Sequence, residues 1–293
     1  MQRLIDVPET IGECKKVPDH QGLSPLTWLS AICLDAPVVA VTWQWLFASA
    51  VGAVVALPNR LALFLTAWLI YSADRFADCA SIPVGTSTSA RQRFCAKHHA
   101  IWVVLIPLLM VVDSIICLTL IEPRTRVIGS AIAGAIAIYL ALNHFAGWIW
   151  QRLPVKEMVV GFLFASGTLA PINCTEFRFV VSAILFGILC SLNCLSISVW
   201  ERDLDVAQGK ESFATAHPQL LWLPQAACLG LGGLALCMAI PNEIRAISLC
   251  LTSSATLLAF LNEANSLRRD ERVALADIIL LTPLVVPLFH LFA

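Results

Sequence analysis

Asp74 and Asp78, in the stretch Tyr71-Ser72-Ala73-Asp74-Arg75-Phe76-Ala77-Asp78, stand four residues apart at the end of an apolar run that begins near Leu61. On a helix that spacing puts both carboxylates on one face, one turn from each other. Two like charges at a helix C-terminus, where the macrodipole is already negative, cost stability unless a cation sits between them. A divalent metal with oxygen ligands answers that need. One such pair is equally a solvated helix end, so the argument turns on whether a second pair exists.

It does. A later apolar segment ends in Trp200-Glu201-Arg202-Asp203-Leu204-Asp205, followed by Gln208-Gly209-Lys210. Glu201 and Asp205 repeat the four-residue spacing, with Asp203 between them on another face. Two facing carboxylate pairs suit two or more Mg2+ ions, because magnesium keeps several waters, takes one or two carboxylates per ion and lets phosphate oxygens complete its shell. The expected ligand is therefore a diphosphate. Cations near both pairs fit it: Arg75 within the first stretch, Arg91 and Arg93 after it, Arg152 and Lys156 farther on, and Lys210 after the second.

The elements that must position these groups follow from composition. Of 293 residues, 58% are hydrophobic and 13% charged, with a mean hydropathy of +0.80. Soluble domains carry about 25% charged residues. Here polar stretches alternate with long apolar runs, the pattern of an all-α polytopic membrane bundle. Nine intervals have the length of a membrane crossing, at 37–57, 60–79, 100–120, 127–149, 157–173, 178–199, 219–240, 244–262 and 273–291. No repeat or linker divides the chain. A polar segment, 1–26, without the apolar core of a signal peptide, precedes one membrane domain, 27–293. Eleven scattered cysteines without a C-x-x-C pair argue against a disulfide framework or a zinc site. The net charge of −1 and the lack of a basic, aromatic-interleaved patch exclude a nucleic-acid partner.

With nine crossings, fourteen of the nineteen Lys and Arg residues fall on one side. Arg60, Arg124, Arg126, Arg178 and Arg245 fall on the other. The excess of basic residues on the inner side puts the N-terminus in the cytoplasm. An uncleaved multispan chain of this kind suits a bacterial inner membrane. Both acidic pairs then end inward-running helices at the cytoplasmic face. Polar residues within the spans, Asn143, Asn193, Glu263 and Asp277, carry a default suspicion of function. Asn143 and Asn193 are expected in a substrate cavity, and Glu263 and Asp277 in interhelical contacts.

In these motifs the chain resembles the UbiA-type intramembrane prenyltransferases, which have nine helices and two aspartate-rich motifs on the cytoplasmic side. The last two acids of the family's N-D-x-x-D-x-x-x-D match Asp74 and Asp78, while its leading Asn-Asp falls on Ile70 and Tyr71. The second motif, D-x-E-x-D-x-x-x-G, resembles Glu201-x-Asp203-x-Asp205-x-x-x-Gly209. The R-L-D-x-P that opens the first helix resembles Cys33-Leu34-Asp35-Ala36-Pro37 without the arginine.

The resemblance implies Mg2+-dependent transfer of a prenyl group from an allylic prenyl diphosphate to an aromatic or lipid acceptor. Asp74, Asp78, Glu201 and Asp205 would hold the metal, with Asp203 catalytic. Lys156, Arg152, Arg75, Arg91 and Lys210 would bind the diphosphate, and Tyr71, Asn143, Asn193 and Trp200 would line the cavity. Two other readings stay open: a non-catalytic prenyl-diphosphate or lipid-binding relative, and a cation-coupled transporter. A transporter would place its acids near the bilayer midplane rather than at helix ends.

Overall fold

The computed structural model describes residues 25–80, 82, 86–145, 155–210, 212–240, 244–264 and 266–287, and these are all-helical, without a strand. The principal helices are α1 (Asp35–Ala50), α2 (Leu57–Ala80), α3 (Ala90–Lys97), α4 (His99–Thr119), α5 (Pro123–Phe145), α6 (Val155–Leu169), α7 (Phe177–Gln208), α8 (Leu223–Cys237), α9 (Arg245–Glu263) and α10 (Arg269–Ile279). Each of the nine expected intervals overlaps one of them. Most of the segment 1–26 lies outside the described residues, as does Arg152.

By length and composition, five of the described helical segments can cross a membrane: His99–Thr119, Pro123–Asn143, Phe177–Gln208, Pro218–Cys237 and Arg245–Glu263. A sixth crossing is possible if Pro25–Ala31 and Asp35–Ala50, bent by 85°, count as one broken span. By this measure the described residues supply five or six crossings, and the expected nine are not shown. Helix α2 has the length, 24 residues, but carries Asn59-Arg60 near one end and Asp74-Arg75 near the other. Helices α6 and α10 have 15 and 11 residues, short of the ~20 that a bilayer core needs. Pro171 lies just beyond the end of α6, as its restricted backbone requires.

The 32-residue α7 is the centre of the bundle. It packs on α6, α8, α9 and α10, and α1 closes the core beside it. Trp43 of α1 stacks on Phe186 of α7 at 4.4 Å, and its indole N–H donates to the Leu280 carbonyl at 2.7 Å. Such a buried N–H needs a partner where no water is available. Helices α4 and α5 flank the bundle, presenting Ile101, Val104, Leu108, Leu118, Val127 and Ile138 outward.

Small residues set the closest approach. A Cβ on Gly161 of α6 would meet Ser191 Oγ and N, and would lie 2.8 Å from the Gly187 carbonyl oxygen. Most of these atoms are backbone and cannot move aside. Gly161→Ala is therefore expected to push α6 off α7 and cost about 1–3 kcal/mol, read as a lowered melting temperature in lipid nanodiscs. Gly167→Ala, with open space at its Cβ position, is the neutral control.

Candidate functional site

Helices α2 and α7 both run toward the same end of the bundle, and hydrogen bonds from two chain segments tie those ends together. Lys210 Nζ donates to Asp78 Oδ1 at 3.1 Å, and Arg91 Nη2 donates to Glu201 Oε1 at 2.6 Å. Each pair joins one part of the chain to the other motif. Arg91 is buried, 8% exposed, while Glu201 is half-buried.

The position of Lys210 depends on one residue. Helix α7 ends at Gly209, whose φ of +66° is left-handed, and Lys210 N then donates back to the Asp205 carbonyl at 2.8 Å. Glycine takes this conformation without the penalty that a Cβ brings.

Arg91 is positioned by α3, a short helix across this end. Its start is fixed by a capping box: the Ser89 hydroxyl accepts from Gln92 N at 3.2 Å and Gln92 Oε1 accepts from Ser89 N at 2.9 Å. Gln208 of α7 donates to the Ser87 carbonyl at 2.9 Å, and Ala90 N donates to Asp270 Oδ2 at 3.0 Å. Helix α3 is thereby held by α7 and α10 together. The Ser89-x-x-Gln92 signature is legible in the sequence, but where the helix docks is not.

Around these bridges stand the other expected residues. Asp74 is solvent-exposed, within electrostatic reach of Asp78, Arg75, Lys156 and Lys210. Asp205 is in similar reach of Glu201, Lys210 and Lys156, and accepts a hydrogen bond from Ser212. Arg75 lies near Asp74, Asp78 and Glu201, and its Nε is buried without a hydrogen-bond partner among the described residues. Asp74 and Lys156 make no hydrogen bond or ion pair with another described residue. Asp203 is exposed, and no hydrogen bond or ion pair joining the two motifs includes it.

Four carboxylates and four cations, Arg75, Arg91, Lys156 and Lys210, thus share one end of the bundle. Among the described residues no three His, Cys, Asp or Glu side chains converge into a cage that would hold a metal unaided. Asp74 and Asp205 nevertheless offer carboxylate oxygens without an ion-pair partner. That donor set fits magnesium shared with a phosphate, which needs only one or two carboxylates per ion. It does not fit a metal held by protein ligands alone.

Deeper in the bundle lies a small cavity of about 20 Å³ with Tyr71, Asn193 and Asp277 among mainly apolar walls. Tyr71 is three residues from Asp74, and Val160, another wall residue, is one turn from Lys156. Asn193 is eight residues before Glu201, about 12 Å along α7. The cavity therefore sits on the three helices that carry the charged groups, one to two turns farther in. Asn193 Nδ2 donates to Asp277 Oδ1 at 3.0 Å, the interhelical contact expected for Asp277. Glu263 likewise contacts another helix, accepting from Gln225.

Asn143 and Trp200 do not line this cavity. Asn143 stands on α5, most of whose described residues are not buried, and Trp200 packs against the main apolar core. Sequence reading passed over Asp113, buried in α4, where it accepts from Thr66 Oγ1 of α2 at 2.7 Å. Its isolated place in an apolar span was the available signal.

Compared with known proteins, the chain matches no family model and no curated sequence.

Proposed function

We propose that the protein is a Mg2+-dependent intramembrane prenyltransferase that moves a prenyl group from an allylic prenyl diphosphate to an aromatic or lipid acceptor. One observation carries this reading: the acidic ends of α2 and α7 lie together, joined by Lys210–Asp78 and, through α3 packed on α2, by Arg91–Glu201, with a small, mainly apolar cavity one to two turns farther in. In this reading nine helices lie in the membrane, the shorter and more polar ones shielded from lipid by the rest. The N-terminus is cytoplasmic, and the host membrane is a bacterial inner membrane.

Asp74, Asp78, Glu201 and Asp205 would supply oxygen ligands for Mg2+. When bound, the metal neutralises the diphosphate and improves it as a leaving group. Lys156 is without an ion-pair partner among the described residues, so its ammonium is available to phosphate oxygens as their charge grows. Lys210 and Arg91 add fixed positive charge and hold the two helix ends at a set separation. Arg75, with a buried unpaired Nε, is the remaining donor. Asp203, exposed and outside the cross-bridges, is assigned the outer rim of the site.

A second reading has its own support. Ile70 and Tyr71 replace the leading Asn-Asp of the resembled motif, which favours a relative that binds prenyl diphosphates without turning them over. To separate the two, purified protein is incubated with labelled geranylgeranyl and longer prenyl diphosphates in cell-lipid extract, with and without Mg2+. Metal-dependent diphosphate release supports the transferase. Tight binding without release supports the non-catalytic relative. Cation flux in liposomes, indifferent to prenyl diphosphates, supports transport.

A further inference from the structure

Two of the scattered cysteines meet across a helix boundary. Cys79 lies in the last turn of α2 and Cys95 in α3, and each thiol reaches over to the other's helix. Cys79 Sγ donates to the Gln92 carbonyl at 3.6 Å, and Gln92 is one turn before Cys95. Cys95 Sγ reaches the Arg75 carbonyl at 4.0 Å, and Arg75 is one turn before Cys79. The two contacts cross, so the sulfurs stand side by side between the helices, within hydrogen-bond reach of each other. Both are free thiols.

A buried cysteine ordinarily serves as a small apolar residue, and Cys190, Cys228 and Cys250 do so in the main core. The Cys79–Cys95 pair differs because it joins separate elements and one member is open to reagents. Cys95 is 1% exposed, whereas Cys79 is half-buried and is followed by the exposed Ala80. Cys33 shares a small apolar core with Cys95 and Trp102 but is buried as completely as Cys95. A reagent from solution therefore meets Cys79 first, with Cys95 directly behind it.

We propose that Cys79 and Cys95 form a reversible disulfide that clamps α3 to the end of α2 when the surrounding thiol pool turns oxidising. The co-reactant is a low-molecular-weight disulfide of the glutathione class. The sulfur of Cys79 attacks one sulfur of that molecule, whose S–S bond breaks and releases one thiol. The sulfur of Cys95 then attacks Cys79 in the mixed disulfide, closing the Cys79–Cys95 bond and releasing the second thiol. The two cysteine protons end on the two released thiols, and two electrons pass from the protein to the reagent. In the cytoplasmic orientation proposed above, thiols are ordinarily kept reduced, so the pair is a redox-responsive device rather than a permanent staple.

The new bond closes a loop over residues 80–94. It fixes α3, whose Arg91 holds Glu201, against α2, which carries Asp74 and Asp78. In the reduced protein α3 is held only by hydrogen bonds, packing and the Arg91 ion pair. The inference does not depend on what the acidic ends bind, and its readouts require no activity.

The test uses the full chain in lipid nanodiscs, equilibrated with glutathione disulfide and then with dithiothreitol. After alkylation of free thiols and tryptic digestion, oxidation is expected to join the peptides 76–91 and 94–97, and dithiothreitol to separate them. The melting temperature is expected to rise by about 5 °C on oxidation, and the amides of α3 to exchange more slowly. Cys79→Ser and Cys95→Ser should each abolish all three effects, with Cys95→Ala in place of the serine if a buried hydroxyl prevents folding. Cys33→Ser, and Cys237→Ser at an exposed thiol, should leave them unchanged. Glutathione retained on Cys79 without a link to Cys95, or a link made through Cys33, overturns the proposal. A Cys79–Cys95 link that changes neither the melting temperature nor the exchange of α3 overturns the clamp.

Discussion

Asp74→Asn and Asp205→Asn should each lower the rate of Mg2+-dependent diphosphate release by about 10²–10³-fold, the usual consequence of removing one preorganised group from the charge-stabilising set of a transition state. These two residues are the sharpest tests because neither is in an ion pair. Asp74 is exposed and without a bond to another described residue, and Asp205 has no ion-pair partner among the described residues. Replacing either by Asn keeps shape and removes the charge that a metal needs, so the fold should stay intact while release fails. Asp203→Asn, outside the cross-bridges, should cost far less. Raising Mg2+ should partly restore the Asp74 and Asp205 variants, since a weakened site refills by mass action. Equal losses at all three positions would mean that the acids act through overall charge rather than through a built site.

The second large effect is on stability. Arg91→Leu should destabilise the protein by about 3 kcal/mol, because it leaves the half-buried Glu201 without its cation. It also removes one of the contacts that hold α3 against the end of α7, while those of Gln208 remain. The double variant Arg91→Leu/Glu201→Leu should recover most of that loss, since no uncompensated charge remains. Thermal unfolding of the three proteins in nanodiscs measures both terms. A single Arg91→Leu variant as stable as the parent would show that the 2.6 Å contact is not maintained in the membrane.

Much of this arrangement is legible in the sequence, and the reasons for the rest are physical. Apolar runs locate helices because a membrane demands them, and all nine intervals fall on helical segments. Run length does not tell how many cross the bilayer, because α6 and α10 are short and α2 carries charge at both ends. The i, i+4 spacing of Asp74/Asp78 and Glu201/Asp205 fixes which carboxylates share a face, whatever the tertiary contacts. It does not give their partners. That Arg91 reaches Glu201 and Lys210 reaches Asp78 depends on α3 and on the left-handed turn at Gly209, which bring together residues distant in sequence.

The cavity residues divide in the same way. Asn193 lies on a helix buried on nearly every side, so facing a cavity was a sound expectation. Asn143 and Trp200 do not line it, and a helix apolar all round gives no periodicity from which to read its rotation. Asp35 and Asp277, within electrostatic reach of each other, come from opposite ends of the chain, and no local pattern announces that.

The central claim is that the two acidic helix ends together bind one prenyl diphosphate through magnesium. Its most direct test is calorimetric titration of the nanodisc-held protein with the non-ionising thio analogue of geranylgeranyl diphosphate, in Mg2+ and in EDTA. The account predicts one ligand per chain in Mg2+, and loss of binding in EDTA, in Asp74→Asn and in Asp205→Asn alike. Binding of equal strength in EDTA, or binding that depends on only one of the two helix ends, would contradict it.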